Sequence, residues 1–340
     1  MKLGIIGSGR IAKRAITELA FVPEFVVASV YNPSYEHGEV FARWVTEQQL
    51  DSGKAEAAVQ AALDLDEMAE QVDAVYIASP HATHYPYAKD LLESGKHILC
   101  EKPMAFSGYQ VKELFAIARE KGLVLMEGLK TAYCPGFTKL QDVINTGVIG
   151  EVVDVEAAFT RLTQPGCREF DDRKYGGSFT EFGTYTMLPI FRFLGTDYKS
   201  VHFCSIPADT GVDGYTKAAF EYGGALATAT TGLTVKHEGQ LLISGTKGYI
   251  LVPSPWWLTR YFEVRYEDPS RIDKYTCEFE ADGLRYEFRE FASRINAIIS
   301  GVPGASADHS LFSGQLFSME EREALTRAGV FEKFIGQRYD

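Results

Sequence analysis

The chain begins "KLGIIGSGRIAKRAITELA", and no other stretch restricts the fold as strongly. Lys2 to Ile6 is a short apolar run, Gly7 to Ala12 reads G-S-G-R-I-A, and Lys13 onward has helical spacing. A G-x-G-x-x-A turn between a strand and a helix has a specific physical use. Gly7 permits a tight turn, Gly9 lets the backbone approach a pyrophosphate, and Ala12 is small enough for the helix to pack on the strand. Free N–H groups and the helix dipole then favour an anion at the helix N-terminus. Ser8, Arg10 and Ile11 complete the turn, and Arg10 is placed to lie over phosphates or adenine. A glycine turn that binds nothing is the alternative, and the flanking strand and helix speak against it.

A second strand, "EFVVASVYN", follows at the proper distance. Dinucleotide folds end this strand with an acid for the ribose hydroxyls, or with an arginine for a 2′-phosphate. Tyr31-Asn32-Pro33-Ser34 supplies neither. Asn32 can hydrogen-bond to a ribose or a phosphate, so the choice between NAD and NADP stays open. From Glu36 to Asp66 the sequence reads as charged surface helix with an alanine-rich insertion, "KAEAAVQAAL", and no chemistry. Strands return at "AVYIASP" and "HILCEKP", separated by a helix that Gly95 ends. The alternation predicts a parallel sheet with crossover helices over residues 1–125, and ligands beyond the carboxyl ends of its strands. Gly7, Ser79-Pro80 and Glu101-Lys102-Pro103 all fall at such ends.

Lys102 is therefore expected at the mouth of a cofactor crevice. Oxidising an alcohol needs a group to take the hydroxyl proton as hydride leaves for nicotinamide. An amine beside a positively charged ring, partly removed from water, has its cationic form disfavoured. A solvated surface lysine is the bland alternative.

Other classes are excluded by composition and spacing. The formal net charge of −12 opposes unaided binding to nucleic acid or an anionic membrane. The N-terminus lacks the apolar run of a signal peptide, and no stretch suits a transmembrane helix. Five dispersed cysteines give neither a disulfide framework nor a zinc motif, which fits a reducing cytoplasm. His81 and His84 stand three apart without an acid or thiol nearby, so no metal is expected.

Several longer stretches together resemble the glucose–fructose oxidoreductase / inositol dehydrogenase / rhizopine-catabolism (Gfo/Idh/MocA) family. They are "GIIGSGRIA", Val72 to Phe106, "GVIGEV" at Gly147 to Val152, "YGGSFTEFGTYTMLPIFRFLG" at Tyr175 to Gly195 and "GTKGYILVP" at Gly245 to Pro253. The resemblance implies an α/β architecture: an N-terminal Rossmann domain, residues 1–125, and a C-terminal α/β domain, residues 126–340, with a large, mostly antiparallel sheet. It also implies an NAD(P)-dependent oxidoreductase acting on a sugar, polyol or cyclic diol. A homodimer or homotetramer through the C-terminal sheet is implied as well.

By the same resemblance Lys102 reaches the carbon that exchanges hydride, and the proline peptide after it is often cis. Many relatives carry an aspartate and, four residues on, a histidine where this chain has Glu181 and Tyr185; one helical turn puts both on one face. Tyrosine there resembles the dihydrodiol dehydrogenase and glucose–fructose oxidoreductase branches. A phenol near a cation can shuttle a proton, so Tyr185 is the expected acid–base with Lys102 assisting, and the reverse assignment stays open. Glu181 is expected to orient Lys102 or bind a substrate hydroxyl. Ser79, Pro80, His81 and His84 lie where relatives contact the nicotinamide ribose, and His84 reads equally as a structural histidine; Glu101 joins the cofactor-facing group. Arg161, Arg168, Arg173 and Lys174 form a polar stretch suited to substrate hydroxyls or a carboxylate, or to plain solvation. Lys130 and Tyr133 fall at pocket-lining positions, and Trp256, Trp257 and Tyr261 suit packing more than stacking on substrate.

A regulator that binds NAD(P) without turnover is the competing class; it has no need of Lys102. A methyltransferase should end its second strand with an acid and has no use for E-K-P.

Overall fold

In the computed structural model, residues 1–54, 57–301 and 314–338 are described. The N-terminal stretch lays down six strands: β1 (Lys2–Ile6), β2 (Val26–Tyr31), β3 (Gln60–Ala62), β4 (Ala74–Ile77), β5 (His97–Glu101) and β6 (Leu125–Gly128). Between them run α1 (Arg10–Leu19), α2 (Tyr35–Asp51), α3 (Leu65–Gln71), α4 (His84–Glu93) and α5 (Gly108–Glu120). The strands are parallel, in the order β3-β2-β1-β4-β5-β6. Helices cover both faces of such a sheet, so its central strands read as unbroken apolar runs. All four residues of β4 are buried, and so are Leu3, Ile5 and Ile6 of β1. Helix α1 buries Ala12, Ala15, Ile16 and Leu19, the i, i+3, i+4, i+7 stripe of a helix with one inward face.

One element departs from the sequence expectation. Residues 54–63 read as alanine-rich helix, yet Gln60–Ala62 extends the sheet beside Ser29–Tyr31 of β2. Alanine's helix preference is weak against backbone hydrogen bonds offered by a sheet edge. Ala55 and Glu56 of that stretch lie outside the described residues.

The remainder adds α6 (Pro135–Asn145), β7 (Val152–Thr160), α7 (Arg168–Asp171), α8 (Ser178–Leu194), β8 (Ser200–Pro207), β9 (Asp213–Glu221), β10 (Leu226–Gly232), β11 (Leu241–Gly245), β12 (Tyr249–Val252), β13 (Tyr261–Arg265), β14 (Ile272–Thr276), α9 (Leu284–Ile299) and α10 (Gly314–Arg338). Strands β7 to β14 form the second sheet, ordered β14-β13-β12-β11-β7-β10-β9-β8. It is antiparallel except where β7 runs parallel to β10.

Two compact units result: Met1–Lys130 with Ala281–Ala328, and Thr131–Glu280 with Gly329–Asp340. A boundary read from element order puts everything after 125 in one domain; packing in space lets α9 join the first unit. Leu284, Phe288, Phe291 and Ile295 are the buried stripe of α9, and Phe25 stacks on Phe291 with centroids 5.6 Å apart. On the α1 side, the Arg285 guanidinium donates to Glu18 at 2.8 and 3.1 Å and its backbone N at 3.3 Å, with both residues buried.

In the second unit α8 lies on β7 and β10. Its start is fixed by Asp213 of β9, which accepts from Ser178 Oγ (2.7 Å), Phe179 N (2.8 Å) and Thr216 Oγ1 (2.8 Å) and pairs with Arg338. Asp213, Ser178, Phe179 and Thr216 are buried and Arg338 is half-buried, so loss of the carboxylate strands a cation and several donors. Asp213→Ala should cost about 3–5 kcal/mol in urea unfolding; a loss below about 1 kcal/mol would show that the network stabilises little.

Candidate active site

The strand ends of the first unit's sheet carry the glycine turn. Gly7 N donates to Tyr31 O (2.9 Å) and Ala78 N to Ile6 O (2.9 Å), so the turn leaves between the ends of β2 and β4. Gly7 has φ +98°, and a Cβ there would stand 2.6 Å from Ala78 O. Only glycine fits. Gly9 is different: a Cβ there would meet nothing within 4 Å, so its absence keeps open space above the backbone. Gly9 is also the N-cap of α1, and no side chain caps the first N–H groups. Open space over uncapped donors is what a pyrophosphate requires, so these residues fit a dinucleotide.

Around that turn, Asn32 Nδ2 donates to Ser8 Oγ (2.8 Å) while Asn32 Oδ1 accepts from Ser34 N (2.9 Å). The amide thus shapes the turn beside the end of β2. Arg10 is exposed, Ile11 half-buried and Ala12 buried.

Beyond β4, Thr83 Oγ1 donates to Ser79 Oγ (2.7 Å), and Pro80 leads into a short turn at His81–Thr83. His84 is 1 % exposed and lies between two carbonyls, with Nδ1 2.8 Å from Pro103 O and Nε2 2.9 Å from Ser79 O. Its ring ties the end of β4 to the loop after β5, which is a structural histidine's geometry. His81 packs edge-on against His84 and Phe106, with centroids 5.6 and 5.7 Å apart.

At the end of β5, Glu101 turns inward. Its carboxylate accepts from Tyr76 Oη (2.6 Å) and from Lys102 N (3.3 Å). Burial pushes the Glu101 carboxyl up, with the Lys102 charge and the Tyr76 hydrogen bond opposing. Room for the side chain comes from Gly128, its register partner on β6; a Cβ there would sit 3.3 Å from Glu101 Cα. Lys102 is half-buried, and the Lys102–Pro103 peptide is cis. Two residues on, Met104 N donates to Glu127 Oε1 (2.9 Å), and Arg327 holds the other oxygen of that carboxylate at 2.6 Å. The loop bearing Lys102 is therefore anchored through β4, β6 and α10.

In the second unit, Glu181 and Tyr185 are half-buried one turn apart on α8, whose neighbouring residues are mostly buried. Glu181 pairs with Arg168, 3.2 Å away. Tyr185 leans on Phe159 (centroids 5.2 Å), which is stacked between Trp257 (3.7 Å) and Phe182 (4.4 Å). Trp256 is buried with Nε1 donating to Ala158 O (2.9 Å), a packing role. Among the cations at 161–174, Arg161 pairs with Glu169 at 3.4 Å and Arg168 with Glu181, so this stretch is partly self-neutralised.

Tyr76, Glu127, Arg327 and Glu287 have no place in the sequence expectation. No motif marks them. The signal that was available for Glu287 is an ionisable residue inside the apolar stripe of a helix, between Leu284 and Phe291. Among the described residues, no three His, Cys, Asp or Glu side chains group as a metal site, and no helix is long and apolar enough to cross a membrane.

A parallel sheet ordered 3-2-1-4-5-6 with an open, uncapped glycine turn at its switch point has the form of a dinucleotide-binding protein, and Lys102 follows directly on β5. Comparison with known proteins narrows the class. Residues 1–129 match the family model GFO_IDH_MocA, "Oxidoreductase family, NAD-binding Rossmann fold", and residues 137–251 match the GFO/IDH/MocA C-terminal domain. The chain belongs to the Gfo/Idh/MocA family and is an NAD(P)-dependent oxidoreductase acting on hydroxyl or carbonyl groups.

It is 29 % identical over 305 residues to scyllo-inositol 2-dehydrogenase (NADP(+)) of Bacillus subtilis, covering 87 % of this chain and 88 % of that one. With trans-1,2-dihydrobenzene-1,2-diol dehydrogenase of Xenopus laevis the identity is 29 % over 342 residues, covering 97 % and 98 %. In fold it is similar to a 3-ketoreductase of Actinomadura kijaniata solved with NADP and TDP-benzene: TM-score 0.76, 23 % identity, 98 % and 96 % covered. That ketoreductase has also been solved as two separate variants, one with a lysine replaced by alanine and one with a tyrosine replaced by phenylalanine. The curated relatives are dehydrogenases and a reductase by name, so a non-catalytic sensor finds no support among them.

The two glycines separate folding from binding. Gly9→Val should leave the thermal midpoint near wild type yet weaken NADPH binding by about tenfold or more, roughly 1.4 kcal/mol, by fluorescence titration. Gly7→Val should instead lower stability itself, by about 1–3 kcal/mol or more of backbone strain and overlap. Unchanged affinity in Gly9→Val would mean the turn holds no pyrophosphate.

Proposed function

We propose that the protein moves hydride between nicotinamide and a secondary hydroxyl or carbonyl carbon of a sugar, polyol or cyclic diol. The observation that carries this reading is the half-buried Lys102 on an anchored loop at the strand-end edge that also bears the pyrophosphate turn. A cyclic polyol and a cyclic diol in the names of the relatives support the substrate class.

When bound, the nicotinamide supplies the acceptor or donor of hydride. Gly7 to Ala12 and Asn32 are proposed to hold the pyrophosphate and ribose, and Ser79, Pro80 and His81 to border the nicotinamide end. In the oxidising direction the substrate C–H electron pair leaves carbon, the C=O bond forms, and the hydroxyl proton passes to a base. Tyr185 and Lys102 are proposed to handle that proton, with Glu181 orienting them. Support for Tyr185 comes from its place one turn after Glu181 on α8 and from the substituted tyrosine of the related ketoreductase.

For the coenzyme we favour NADP. No carboxylate ends β2, so nothing at Tyr31–Ser34 repels a 2′-phosphate. An assembly through the second sheet is part of the proposal, supported by the outward face of β8 to β10, where Ile206 and Leu226 are 56 % and 60 % exposed. A cytoplasmic location is supported by five cysteines that remain free thiols.

Lys102→Ala and Tyr185→Phe should each lower kcat by about 10²–10⁴ on a responsive sugar or diol, with NADPH affinity nearly unchanged. Full turnover in Lys102→Ala would end this mechanism. Titration of wild type with NADPH and NADH should show the tighter binding for NADPH; the opposite order would reverse the coenzyme assignment.

A further inference from the structure

A second buried carboxyl in the first unit belongs to no motif. Glu287, in the first turns of α9, is wholly buried, and neither of its oxygens has a hydrogen-bond partner. Its neighbours make this unusual, because the other acids around it are matched. Glu18 on α1 is taken by Arg285 (2.8 and 3.1 Å), and Asp282, just before α9, by Arg14 (2.6 Å). Lys130, after β6, gives its ammonium to the Asp282 carbonyl. Tyr76 on β4 ties the site together: its hydroxyl donates to Glu101, and its ring packs edge-on against Phe288, with centroids 5.0 Å apart. The ionisable groups facing the pair are thus Arg14, Lys130, Lys102 and Tyr76, with Glu18, Arg285 and Asp282 at the edge.

We propose that, of the two buried carboxyls, Glu287 keeps its proton while Glu101 carries the charge, and that Glu287 is a positioning residue whose protonation sets the charge felt at Lys102 through Glu101. This deepens the reading given above and rests on Lys102 as a proton-handling amine. Two carboxyls in one dry site cannot both ionise readily. Burial first, and then the like charge of Glu101, push the Glu287 carboxyl well above the usual carboxylate range, against the pull of Lys130 and Arg14. The protonated pair carries one negative charge, held at Glu101 by the Tyr76 hydroxyl and the Lys102 N–H. Loss of the proton to water gives two negative charges, and the charge of Glu101 already interacts with that of Lys102. A neutral Glu287 therefore limits the field at the lysine to a single carboxylate while its bulk keeps water out.

The sign of the stability effect follows. The fold binds this proton more tightly than the unfolded chain does, so its contribution is present below the ordinary carboxyl range and is lost as pH rises toward the folded value. Glu287→Gln cannot ionise and should gain in thermal midpoint over wild type as pH rises, with the difference closing in acid.

The experiment uses the full chain, Glu287→Gln, and Glu287→Met as a second neutral variant should the first fold poorly. Infrared difference spectra across a pH step, without substrate, should show the C=O stretch of a protonated carboxyl in wild type and lose it in the variants. The rate of Lys102 acetylation by acetic anhydride, followed by mass spectrometry against pH, should carry the pair's titration step in wild type only. Where a substrate responds, the same step should appear as a limb of kcat/KM that the variants lack. A band that persists in Glu287→Gln, or identical acetylation profiles, would overturn the proposal. Absence of turnover on every substrate would count against the function reading alone, because the first two readouts need no substrate.

Discussion

Gly7 is the point on which the first unit's chemistry depends. Strand β1 lies between β2 and β4, and the chain leaves it through a gap bounded by Tyr31 O and Ala78 O. A side chain at that point would collide with the β4 backbone, and the positive φ would strain any L residue. Because the turn passes so close, the N-terminus of α1 opens directly over the ends of the central strands. The uncapped start of α1, the Asn32 amide and the Ser79 segment then share one edge as a geometric consequence. Their positions follow from one glycine and from parallel pairing.

The same edge is stiffened by contacts that run far along the chain. Glu127 on β6 receives both Met104 N and Arg327 of α10, Glu18 on α1 receives Arg285, and Arg14 binds Asp282. The Arg327, Arg285 and Arg14 pairs each join an early element to a late one, and each is buried or partly buried, where breaking a partner is costly. The first unit is thus closed by the C-terminal part of the chain. In the second unit the corresponding role falls to Asp213, which fixes the start of α8 and receives Arg338.

Buried polar chemistry divides into two kinds in this protein. His84 and Asp213 have partners for their polar atoms and act as ties between backbone segments. Glu287 is the contrasting case, enclosed among apolar stripe residues of α9 with no donor to either oxygen. A fully matched group rigidifies, whereas burial without a partner pushes a carboxyl above its ordinary range. The closeness of the latter to Glu101 gives the residue before the lysine an environment that the motif alone does not define.

Much was legible in the linear chain. The strand–glycine–helix start, the alternation to residue 125, the E-K-P run and the Glu181–Tyr185 spacing are local patterns, because hydrophobic period and glycine placement act over a few residues. That sufficed for a dinucleotide sheet and for the resemblance to the family, and the resemblance in turn implied the mostly antiparallel second sheet. Local reading failed at 54–63, where a sheet edge outweighed alanine's helix preference, and it could not assign His84 to tying two loops. What only the tertiary structure decided is which charges face one another. Arg168 reaches Glu181, α9 returns to α1, and the charge of Glu101 comes to act on Glu287, which is 186 positions later in the sequence. Charge pairing and desolvation depend on distance in space, and nothing in the spacing of a sequence encodes that distance until the chain has folded.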